Sequence, residues 1–63
     1  MMKRATATLQ KAGIKLEVEK CLWGYTLHDP TLNPQRSMVF YSAKEAVQAA
    51  KDGYRPYQPK VTP

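Results

Sequence analysis

The chain has 63 residues, with ten Lys and Arg against five Asp and Glu and a formal charge of +5. A domain of this size buries only about 60% of its unfolded surface, which excludes a multi-domain enzyme and argues against a free-standing catalyst. A single cysteine, Cys21, and a single histidine, His28, exclude an internal disulfide and a structural zinc site, so no metal or cofactor is expected.

In chain order, residues 1–13 are small, polar and basic. Ala5, Leu9 and Ala12 fall at helical spacing before Gly13, while residues 6–8 alternate equally well as extended chain. The segment is taken as a basic arm that contributes little to the core. From Ile14 the pattern changes. Ile14, Leu16 and Val18 alternate with Lys15, Glu17 and Glu19, the period-two signature of a strand with one buried face. Past Val18 the apolar parity moves to Cys21, Trp23, Tyr25 and Leu27, so a turn or bulge at residues 19–21 is expected to absorb the slip. Residues 23–28 then form a second strand, with Trp23 buried. Asp29-Pro30 and Asn33-Pro34 are turn signals, and residues 37–41 read as a third short strand that buries Phe40 and exposes Tyr41.

The helix signal is the clearest. Ser42 is placed to cap the first turn, with Glu45 three residues on. Ala43, Ala46, Val47 and Ala50 make one apolar stripe, and Gly53 ends the helix. Residues 54–59 (Tyr-Arg-Pro-Tyr-Gln-Pro) contain two prolines and should run extended. The fold class is therefore α+β: a three-stranded antiparallel sheet over residues 14–53 with one C-terminal helix on it, between a basic arm (1–13) and a Pro/Tyr-rich tail (54–63). Its open sheet edges and short apolar set call for a partner or a homo-oligomer. No apolar run approaches the ~18 residues of a membrane span, so a cytoplasmic protein is expected.

Residues 23–30 (Trp-Gly-Tyr-Thr-Leu-His-Asp-Pro), followed by residues 39–46 (Val-Phe-Tyr-Ser-Ala-Lys-Glu-Ala), resemble the strand–turn–strand–helix order of arm-type DNA-binding domains of tyrosine integrases and of ethylene-response-factor domains. In size and in its strand-to-helix step the chain is also similar to small phage RNA-polymerase inhibitors. The first resemblance implies DNA binding through the sheet, and the second implies inhibition by docking on a larger protein. The first strand, however, places Glu17 and Glu19 on the face those DNA-binding domains use, where they would repel phosphates.

Charge is concentrated at the ends. Lys3, Arg4, Lys11 and Lys15 meet no acid before Glu17, and Arg55 and Lys60 meet none after Asp52. The leading expectation is a non-enzymatic nucleic-acid-binding accessory protein, with Lys3, Arg4, Lys11, Arg55 and Lys60 on phosphates and Tyr57 stacking on bases. The alternative is a protein-binding inhibitor or adaptor using Tyr41, Tyr54 and Tyr57. An equal reading of Tyr54 and Tyr57 has them folding back over the sheet. His28-Asp29 has the elements of an acid–base pair but reads as a turn, Cys21 as a small core residue, and Glu17 and Glu19 as solvated strand charges.

Overall fold

The computed structural model describes residues 3–57 and shows a small α+β domain. The order is α1 (Lys3–Lys11), β1 (Glu17–Cys21), β2 (Gly24–His28) and α2 (Ala43–Lys51). The sheet is a two-stranded antiparallel hairpin, with register running from Glu17↔His28 to Cys21↔Gly24. Alternation places Val18 and Leu27 together on the helix-facing side and Glu19 and Thr26 together on the outer side. The core is Leu9 from α1, Leu16 and Val18 from the first strand region, Leu27 from β2, and Ala46 and Ala50 from α2. Ile14, Tyr25, Phe40, Val47 and Tyr54 pack around it.

α2 forms as its sequence predicts. Ser42 has extended backbone and its hydroxyl accepts from the Glu45 N–H at 3.2 Å. Ala46 and Ala50 are buried, so the small-residue stripe faces the core and lets the helix lie close to the strands. Gly53 takes φ +110°, and the paired bonds Gly53 N–H to Ala50 O and Tyr54 N–H to Ala49 O end the helix.

Three expectations are corrected. Residues 3–11 of the supposed basic arm are a packed helix. Leu9 is completely buried, and the Thr6 hydroxyl accepts from the Val18 N–H at 3.1 Å, so α1 is tied to both core and strand. α1 ends by the same device as α2: Gly13 at φ +80° donates to Gln10 O, and Ile14 donates to Leu9 O at 2.9 Å.

The second correction concerns the third strand, which is a single bridge. Tyr25 and Phe40 exchange both backbone hydrogen bonds, at 3.0 and 2.7 Å. The next bonded pair in an antiparallel ladder would be Leu27 with Met38, and side chains intercept it. Leu27 N–H donates to Ser37 Oγ at 3.0 Å, and Met38 N–H donates to the Tyr54 hydroxyl at 2.7 Å. The sheet is thus narrower than the three-stranded one that the integrase and ethylene-response-factor resemblance implies.

The third correction concerns the parity change. A turn absorbs it, as one of the two devices expected, but at Leu22-Trp23 and not at residues 19–21, where β1 continues to Cys21. Trp23 is therefore lifted to the tip and exposed, while Phe40 is half-buried, with its ring edge-on to Tyr54 at 5.4 Å and 81°.

Candidate interaction surfaces

The hairpin tip and the segment beside it form an apolar surface. Leu22 keeps 86% of its surface and Trp23 79%, while Val39 keeps 48% and Tyr41 90%. Their closeness follows from the Tyr25–Phe40 bridge, which sets residues 39–41 alongside the start of β2. Gly24 makes that approach possible. A Cβ there would overlap the Phe40 carbonyl oxygen and lie 3.0 Å from Val39 Cγ1. By strand alternation from the bridge, Val39 and Tyr41 project to the side away from the core. Lys20 and Lys44, both exposed, flank the patch along the chain, each next to an exposed acid, Glu19 and Glu45.

A second surface is a concavity of about 620 Å³ lined by Glu19, His28, Gln35, Arg36, Ser37 and Tyr57, among others. Gln35 organises it. Its Oε1 accepts from Asp29 N–H at 2.7 Å, and its Nε2 lies 2.9 Å from Asp29 O, 3.0 Å from Leu32 O and 2.7 Å from His28 Nδ1. Glu19 Oε1 stands 3.5 Å from the same His28 nitrogen, whose role as donor or acceptor follows the ring's tautomer. Asp29 Oδ1 accepts from both the N–H and the hydroxyl of Thr31, bonds that hold its carboxyl below the ordinary 3.8. The Ser37 hydroxyl accepts from Leu27 N–H and donates to Met38 O. These bonds hold the loop together, with His28 Nδ1 and the Ser37 hydroxyl among the groups engaged.

A third surface is a cleft of about 400 Å³ between the helices, lined by Arg4, Ala5 and Thr8 of α1 and Ala43, Lys44, Val47, Gln48 and Lys51 of α2. Three lining residues are cations and none is an acid.

The residues singled out from sequence are dispersed. Arg4 lines the helix–helix cleft, whereas Lys11, at the end of α1, is not among its lining residues. Arg55 is spent on structure. Its guanidinium donates to Ala50 O at 2.9 Å and Tyr54 O at 2.7 Å, closing the C-terminal end of α2. Tyr54 folds back, with its hydroxyl on Met38 and its ring on Phe40. Tyr57 pairs with Arg36 through the backbone, and its side chain stays exposed on the concavity. Tyr41 is exposed as expected. Lys60 and the Lys3 side chain lie outside what is described.

Sequence reasoning assigned Trp23 to the core and passed over Leu22, Lys44 and Lys51. The last two could have been found from their spacing, since residues seven apart share a helix face. Among the described residues no cluster of three His, Cys, Asp or Glu side chains could hold a metal, and no helix is long and apolar enough to cross a membrane. No family model, curated protein or solved structure matches the chain.

Proposed function

We propose that the chain is a small docking module that binds a larger protein through Leu22, Trp23, Val39 and Tyr41. The observation that carries this reading is the exposure of Trp23 and Tyr41 beside exposed aliphatic side chains, in a chain with few large residues to spare for its core. Aromatic anchors of this kind supply most of the energy at interfaces, because each buries a large apolar area at small entropic cost. The aliphatic members favour protein over nucleic acid. Leu22 and Val39 offer nothing to a phosphate, and Glu17 and Glu19 on β1 repel one. Lys20 and Lys44, together with the chain's charge of +5, favour a partner with an apolar centre and an acidic rim.

The test is affinity capture with the wild-type chain and with Trp23→Ala/Tyr41→Ala, each with and without nuclease. A stoichiometric protein that survives nuclease and is weakened at least ~30-fold by the double variant supports docking, since 2 kcal/mol at a hot spot is about that factor. Equal recovery by both chains, or loss on nuclease treatment, would sink it. Sedimentation supplies a second check: a dimer that dissociates on the same substitutions would assign the patch to a second copy of this chain instead.

A further inference from the structure

We infer that the cleft between α1 and α2 holds the phosphodiester backbone of a single nucleic-acid strand. This goes beyond docking at the hairpin tip and uses none of the four side chains assigned to dock there, while Lys44 borders both surfaces. Arg4 stands on one wall, and Lys44 and Lys51 stand on the other. Lys44 and Lys51 are seven residues apart on α2, so they share a stripe and lie about 10.5 Å apart along the axis at 1.5 Å per residue. A single strand carries a phosphate at every nucleotide, so one backbone can present charge to both lysines at that separation.

No carboxylate lines the cleft, and among the described residues none of the three cations is held in an ion pair. The nearest acid at that end, Asp52, has one oxygen occupied by the Gln48 amide at 3.0 Å. Thr8 turns its hydroxyl onto Arg4 O, leaving the guanidinium side of Arg4 unobstructed by it. Ala5, Ala43 and Val47 contribute small apolar surface between the cations, which keeps the cleft open to a strand without adding a competing polar group. A concave cleft with cations on both walls suits a threadlike polyanion better than a flat bilayer. Every nucleotide is charged, so any register of a strand meets the three cations, whereas a peptide does so only where its sequence is acidic.

The experiment titrates the full chain against a fluorescent 12-nucleotide single strand of mixed sequence between 50 and 200 mM salt. Three contacts predict a slope of log affinity on log salt near −2.1, at about −0.7 per phosphate, or a loss of roughly 20-fold across that range. Lys44→Gln/Lys51→Gln should flatten the slope to about −0.7, while its melting midpoint stays that of the wild type. Lys11→Gln/Lys15→Gln removes the same charge from outside the cleft and should leave the slope near −2.1. Equal flattening by both pairs would show diffuse attraction by net charge and overturn the proposal. So would absence of binding at 50 mM salt. An oligoglutamate of equal length that binds as tightly, with the same dependence on Lys44 and Lys51, would assign the cleft to acidic peptide and likewise overturn it.

Discussion

In α1 a single leucine, Leu9, is completely buried beneath a helix of otherwise small and polar residues, whereas at the hairpin tip Leu22 and Trp23 stand in solvent. The two regions invert the usual relation between composition and position. α1 earns its place through one side chain in the core, one threonine on β1 and a glycine stop. The tip carries the largest side chain of the protein and contributes little to its packing. The fully buried core is aliphatic, with Tyr25, Phe40 and Tyr54 packed around it, and that leaves Trp23 and Tyr41 free for recognition.

The comparison can be broken most directly at Leu9. Leu9→Ala should cost about 2–5 kcal/mol, through lost transfer energy and the cavity left between α1, Leu16 and Leu27. In so small a domain that amounts to unfolding at room temperature, visible as loss of helical circular dichroism. An intact melting transition would mean that α1 is dispensable and the arm reading correct.

Gly24 is next, because it is the contact on which the tip depends. Gly24→Ala should cost about 1–3 kcal/mol by driving a methyl group into the Phe40 carbonyl and separating residues 39–41 from β2. Amide exchange at Tyr25 and Phe40 should accelerate in that variant, since their mutual bonds would be the first to open.

Ser42→Ala should cost about 1 kcal/mol, because it leaves the Glu45 N–H without its side-chain acceptor. At the tip itself, Trp23→Ser should change stability by no more than about 0.5 kcal/mol, the range of surface substitutions, while weakening partner capture. A chemical-denaturation midpoint that dropped steeply for Trp23→Ser would show the indole to be a core group after all.

The smallest effect is set by the Asp29 turn. Its carboxyl is held below 3.8 by the Thr31 hydroxyl and N–H, so its stabilisation is complete above pH 3.8 and is lost as pH falls through the lower folded value. Asp29→Asn should flatten the acid side of the melting-temperature profile in that window alone, leaving neutral pH little changed.

How much was legible in the sequence varies by element. α2 was readable from Ser42 to Gly53 because its cap, stripe and stop are all local, each signal lying within one or two turns of the others. α1 carried the same stop: Leu9 and Ile14 flank Gly13 as Ala49 and Tyr54 flank Gly53. With one buried leucine its stripe is too thin to distinguish a helix from an arm. At the candidate surfaces Tyr41 was found by strand parity. Trp23 was misplaced because a two-residue turn at Leu22-Trp23 contains none of the residues that ordinarily mark one.

By itself, then, the sequence determined the helix over residues 43–51, the alternation that buries Val18 and turns Glu19 outward, and the excess of positive charge. The tertiary structure alone decided that Ser37 and Tyr54 would end the third strand after one bridge, that the Arg55 guanidinium would bond the C-terminal end of α2, and that Arg4 would face Lys44 and Lys51. The physical reason is range. Caps, stops and strand parity act between residues a few positions apart, while each of the other outcomes is set where a side chain meets a different element, and Arg4 lies 40 or more positions from the lysines it faces.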